Sequence, residues 1–135
     1  MKKFLVLASI TLCLAICAPP IEAQTPLVAS KTANTNADTS YVTFKMLPYF
    51  DQMSVQLIVS KTSGTVAGYI RPQYSLDGVN YINANDSLTV GNLTTQSNVW
   101  TYTGNSYLFY RYRYITSGTQ VSALKGYYLT RTRPN

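Results

Sequence analysis

The most distinctive chemistry in this sequence lies in one run, Tyr110-Arg111-Tyr112-Arg113-Tyr114, where phenol and guanidinium alternate without a break. Phenol rings beside guanidiniums stack on sugar rings or bases, and a cation over a ring face adds attraction. Alternation of this kind also signals a β-strand, in which successive side chains point to opposite faces. The tyrosines then share one face with Leu108, and the arginines share the other with Phe109 and Ile115. Read this way, the tyrosines fill or border a core and the arginines meet solvent. The two kinds of side chain cannot form a single mixed platform.

Groups for other chemistry are scarce. The chain has no His, and its two Cys (Cys13, Cys17) and its one Glu (Glu22) all lie within the first 23 residues. Beyond them the only side-chain carboxylates are Asp38, Asp51, Asp77 and Asp86. Ser-His-Asp and Cys-His arrangements need an imidazole to take and return a proton. Zinc draws first on Cys and His. Glycosidases need two carboxylates at a set separation, whereas Asp77 and Asp86 stand in loop-like stretches where Asp closes turns. The expectation is a protein that is not an enzyme and uses no metal and no cofactor.

The N-terminus explains where the missing residues went. Lys2 and Lys3 precede an uncharged apolar run from Phe4 to Ala18, and Pro19-Pro20 and Ile21-Glu22-Ala23 follow. Charge, apolar run, breaker and small residue in that order make a signal peptide. The run is shorter than the roughly 20 residues that span a bilayer as a helix. Cleavage after Ala23 leaves nine basic residues against four aspartates, a net charge of +5. It also leaves no cysteine, so stability must come from a packed core. No membrane span remains, and the expected location is secreted or at the cell surface, in the periplasm or outside. The basic balance attracts acidic polymers, but without a recognition motif beside it the charge argues against nucleic acid.

The remaining 112 residues must hold the tyrosines in place. Residues 24–40, rich in Ala, Thr, Asn and Ser, read as a flexible N-terminal arm. From Tyr41 to the end, 41–135, strand patterns take over. Val42, Phe44 and Met46 alternate in the first, and Met53, Val55, Leu57 and Val59 in the second. Pro72 argues for an edge position or a bulge in the strand that holds it. Asp77-Gly78, flanked by Tyr74, Leu76, Val79 and Tyr81, is a hairpin signal. Further strands follow around Ser87–Val90, Asn98–Thr103, Tyr107–Thr116 and Val121–Arg133. Seven to eight strands separated by turns predict an all-β antiparallel β-sandwich, jelly-roll or Ig-like.

A core uses few buried phenols, because an unpartnered hydroxyl there is costly. Several of the 12 tyrosines must therefore reach a surface or groove, which points to binding. Tyr81, Trp100 and Tyr102 are the candidate ligand contacts.

Two resemblances rest on particular residues. Ser75-Leu76-Asp77-Gly78-Val79-Asn80-Tyr81 resembles the S-x-D-G-x-x-W/Y hairpin of discoidin-like and galactose-binding-like β-sandwich domains. Together with Lys61 to Gly68, Tyr107 to Tyr114, Ser117 to Gln120 and Leu124 to Leu129, the chain from Tyr41 to Arg133 is similar to short β-sandwich proteins of Bacteroidetes phages and prophages. That likeness implies a virion structural or host-surface-binding role, and a virion location if phage-encoded. The function expected is an exported adhesion or binding module contacting a polysaccharide or a protein surface. The alternative is a structural subunit of a virion, fibre or surface layer that self-associates as a homo-oligomer.

Overall fold

The computed structural model describes residues 27–35, 38–47, 50–104 and 106–131. The signal peptide read over 1–23 lies outside them. Nine strands are described: β1 (Leu27–Asn34), β2 (Thr39–Lys45), β3 (Gln52–Gly64), β4 (Gly68–Ser75), β5 (Ile82–Asn83), β6 (Leu88–Val90), β7 (Thr95–Thr103), β8 (Phe109–Thr116) and β9 (Gln120–Arg131). They form two antiparallel sheets. One has the order β1-β9-β3-β7; the other has β2-β8-β4-β5, with β6 also on β4. Counting β5 and β6 as two pieces of one strand, the first three strands alternate between sheets and are closed by strands from the far end of the chain. Two Greek keys interleaved in this way make a jelly roll. The antiparallel sandwich is as expected, and of the two architectures it is the jelly roll.

With β5 and β6 taken as one strand the count is eight, within the seven to eight expected; one of them, β1, occupies much of the segment read as an arm. Its backbone pairs with β9 from Leu27↔Tyr128 to Lys31↔Leu124, and again at Asn34↔Ser122. Pairing needs only backbone N–H and C=O groups, so a segment poor in large apolar residues still adds to an open edge. Thr35 and Asp38, ahead of β2, are tied down by Thr116, 2% exposed. Its hydroxyl donates to the Thr35 or Asp38 carbonyl, at 2.8 and 3.1 Å, and accepts the Asp38 N–H at 2.8 Å.

Pro72 also sits differently from expectation, since β4 is an interior strand. It pairs with β8 on one side, Pro72 standing opposite Tyr112. On the other side β6 covers Gly68–Ile70 and β5 covers Gln73–Tyr74, so the far strand is broken opposite Pro72. The Pro72 carbonyl still accepts the Ala84 N–H at 2.9 Å. Pro has no N–H to return, and the neighbouring ladder is interrupted where that donor would be needed.

Alternation sets the core. Val42, Phe44, Met46, Met53, Val55, Leu57, Val59, Ile70 and Leu124 are all buried. So are Tyr110, Tyr112 and Tyr114, which places the arginines between them on the outer face. The hydroxyls of Tyr112 and Tyr114 are met inside the protein. Tyr112 donates to the Tyr102 hydroxyl at 2.9 Å, and the Tyr114 hydroxyl lies 3.4 Å from Gln120 Oε1 and 3.3 Å from Ser122 Oγ. Gln120 and Ser122, both buried, are polar residues in an apolar layer because they answer a phenol.

Candidate functional site

The three expected ligand contacts do not share a surface. Trp100 is only 6% exposed. It faces the interior opposite Val55, packs 5.2 Å from the Tyr112 ring, and donates its indole N–H to Asp86 at 2.8 Å. It is a core residue, because its register on β3 turns it inward and a loop carboxylate satisfies its one polar atom. Tyr81 lies over the outer face of the five-stranded sheet, with the Arg111 guanidinium 3.7 Å from its ring. Tyr102 alone of the three borders a cleft.

That cleft, about 370 Å³, opens between the two sheets at one end of the sandwich. Tyr102 comes from the four-stranded sheet, Tyr74 and Tyr110 from the five-stranded one, and Tyr107 from the β7–β8 connection. Thr101, Thr103 and Ser106 add hydroxyls, and among the described residues no charged side chain lines it. The Tyr74 and Tyr107 rings stack at 5.0 Å and 14°. Tyr74 also meets Tyr102 and Tyr110 edge-on, at 5.7 and 5.5 Å. Edge-to-face and offset-stacked pairs suit the ring quadrupole, so the cluster holds its own shape. On the other side of the stack is a second hollow of about 270 Å³ beneath the β4–β5 hairpin, bordered by Leu76, Asp77, Asn80 and Ile82. The Tyr74–Tyr107 stack is thus a ridge between two hollows.

Burial raises the pKa of Tyr74, Tyr102 and Tyr112, and pushes Tyr110 up to about 12. The phenols therefore stay protonated at neutral pH. They serve there as hydrogen-bonding groups and ring faces, and not as bases.

The hairpin at the second hollow turns at Asp77-Gly78 as its sequence indicates, but its loop is longer, the strands pairing only through Gln73–Tyr74 and Ile82–Asn83. Asp77 Oδ1 accepts the Ser75 hydroxyl at 2.7 Å and the Val79 and Asn80 N–H groups at 2.8 Å each, and Oδ2 accepts the Asn80 amide at 2.7 Å. These bonds hold the carboxyl well below the usual carboxylate range. Gly78 has φ 75° and lies against Phe109, whose ring would be 3.2 Å from an added Cβ. Asp77 is thus occupied in closing a turn.

The outer face of the five-stranded sheet does bring tyrosines and arginines together. Arg111 lies between two rings, Tyr41 at 4.6 Å and Tyr81 at 3.7 Å. Its Nε donates to Gln73 at 2.8 Å, and Gln73 donates in turn to Asn83 at 2.8 Å. The mixed platform excluded on one strand exists because β2 and the hairpin supply the tyrosines. Tyr74 and Tyr107 were not among the expected contacts. Their signals were in the chain: Tyr74 alternates with Ile70 and Pro72, and Tyr107 stands two residues after the Gly104-Asn105 turn signal. Neither signal tells which end of the sandwich they reach.

No protein-family model and no curated protein matches the chain. Solved structures do. The exported protein XepA of PBSX is 13% identical with a TM-score of 0.61, over 81% of this chain and 39% of that one. The Yersinia pseudotuberculosis-derived mitogen is 7% identical with a TM-score of 0.55, over 82% and 92%. The cowpea mosaic virus empty particle is 13% identical with a TM-score of 0.51, over 90% and 91%. The chain spans about two-fifths of the length of XepA. At these identities the likeness is one of fold, and the fold is that of jelly-roll β-sandwiches.

Proposed function

We propose that this protein is an exported, non-enzymatic binding module whose end cleft holds a neutral polysaccharide. The observation that carries this reading is the cleft itself: four tyrosines, three small hydroxyl residues and, among the described residues, no charge, in a volume of about 370 Å³. Sugar rings present apolar C–H faces and a rim of hydroxyls, which call for ring faces beside neutral donors and acceptors. Site volumes of about 300–1,000 Å³ are usual for small ligands. Export is supported by the signal pattern of residues 1–23. XepA is itself described as an exported protein.

The test is native electrophoresis of the protein through gels containing soluble glucans, galactans or mannans. At least one polymer should retard the protein, and Tyr107→Ala should restore free mobility while keeping the wild-type melting temperature within a few degrees. Tyr107 sits on the β7–β8 connection, so its loss leaves the strands intact. Retardation by none of the polymers, or retardation unchanged by Tyr107→Ala, would sink the cleft assignment.

A structural subunit is the second reading, and one observation favours it. Among the described residues β7 pairs only with β3, and its Val99 is 56% exposed. An uncovered edge of nine residues is a template for pairing with another chain. Light scattering at rising concentration decides: a strict monomer throughout removes this reading.

A further inference from the structure

On the outer face of the five-stranded sheet, Tyr41, Arg113 and Arg71 stand side by side across β2, β8 and β4. Arg71 and Arg113 are direct cross-strand partners, and Arg111 lies two residues from Arg113 on the same face. Like charges directly opposite each other destabilise a sheet. No opposite charge among the described residues offsets this pair. Among the described residues neither guanidinium has a carboxylate partner, and the Nε atoms of both are buried without an acceptor. Arg111 is different, being held by Gln73 and two rings. Its charge adds to the local field while its geometry is already committed. The Tyr69 ring, 36% exposed, flanks Arg71 with the guanidinium 5.6 Å from its centroid.

We propose that Arg71 and Arg113, flanked by Tyr41 and Tyr69, form a second binding site that takes the carboxylate of an acidic polysaccharide. The proposal does not depend on the end cleft, which lies between the sheets and has no charged lining residue among those described. Guanidinium forks match a carboxylate in a bidentate manner, and two adjacent forks concentrate that match at one point. The footprint is short. Nucleic acids bind through charge spread over many phosphates, commonly 6–10 contacts. Here three guanidiniums lie together on two strands, which suits one acidic group set among neutral rings. Tyr41 has one ring face against Arg111, so it frames the arginines and is a poor platform for a base. An exported protein with net charge +5 after cleavage would meet such polymers outside the cell.

The experiment measures binding of the protein to immobilised polygalacturonate by biolayer interferometry, with neutral dextran, poly-glutamate and oligo-thymidine surfaces as further arms. Polygalacturonate should bind, with affinity falling as salt rises, and dextran should not. Arg71→Gln/Arg113→Gln should lower the affinity at least tenfold. Its melting temperature should be unchanged or higher, since a like-charge pair has been removed. The charge-matched control Lys61→Gln/Lys125→Gln, altered in the other sheet, should lose no more than threefold. Four results would overturn the proposal: no binding to polygalacturonate; affinity kept in the arginine double variant; an equal loss in the lysine control; or poly-glutamate or oligo-thymidine bound as tightly as polygalacturonate, which would mean unselective attraction to polyanions. A lower melting temperature in the arginine variant would instead give the pair a structural role and equally count against it. Failure of the Tyr107→Ala test would leave this result untouched, because the two sites are read with different polymers and different residues.

Discussion

At Gly126 the side chains of both sheets crowd against the backbone, and filling that space should be costly. It lies on β9 opposite Leu57, and a Cβ added there would come within 2.8 Å of Phe44 Cζ, 2.9 Å of Leu57 Cδ2 and 3.2 Å of Val42 Cγ1. Comfortable carbon contacts are about 3.5–4.0 Å, so neighbours from both sheets must yield. Phe44 cannot easily swing aside, because its ring is held between Tyr112 at 5.9 Å and Tyr128 at 4.8 Å. Two effects oppose each other in Gly126→Ala. Replacing a strand glycine removes an entropic cost of roughly 0.5–1 kcal/mol, while overpacking a well-filled core costs about 1–3 kcal/mol. The net is a destabilisation of about 1 kcal/mol, which lowers the melting temperature of a domain this size by roughly 4–8 °C. Gly126→Val, with two more methyl groups, should at least double that fall. Thermal melts followed by circular dichroism measure both variants. Adding Phe44→Leu to Gly126→Ala should recover part of the loss, giving a coupling of at least about 0.5 kcal/mol in a double-mutant cycle. A Gly126→Ala protein that melts at or above the wild-type temperature would refute this account of the close approach.

Two pH responses follow from groups already described. The Asp77 carboxyl is held below its ordinary value of 3.8 by its turn bonds, so its contribution is present above pH 3.8 and declines as the pH falls below it. Melting temperatures of wild type and Asp77→Asn should differ at pH 6 and converge towards pH 2; a constant difference would mean the charge is irrelevant to the turn. The buried phenols behave in the opposite sense, with folded pKa values above the ordinary 10.0. Their contribution is complete below pH 10 and is lost as the pH rises above it, up to about 12 for Tyr110 and to higher pH for Tyr102 and Tyr112. Ultraviolet titration should show Tyr110 and Tyr112 ionising only as the fold opens; phenolate absorbance from all tyrosines in one step near pH 10, with the fold intact, would contradict their burial.

Alternation along single strands was legible from residue types alone. It placed Val42, Phe44, Met53, Val55, Leu57 and the three core tyrosines inside, because a period of two allows only two faces and the larger apolar set takes the core. The Ser75-to-Tyr81 hairpin was equally legible, since its bonds run between residues at most three apart. The same holds for the absence of His anywhere in the chain and of Cys and Glu beyond residue 23. What depended on neighbours was not legible. Trp100 and Val99 are both apolar, and only the pairing of Trp100 with Val55 decides which of them turns inward. The strand at Leu27–Asn34 has little apolar signal, and the open edge of β9 recruits it through backbone groups. The arginine–tyrosine platform draws on four separate elements, so no single strand announces it. The alternating run that stands out in the sequence therefore determined which residues face outward, and the tertiary structure decided what they meet there. Periodicity is a property of one strand, whereas a site is a property of the strands packed beside it.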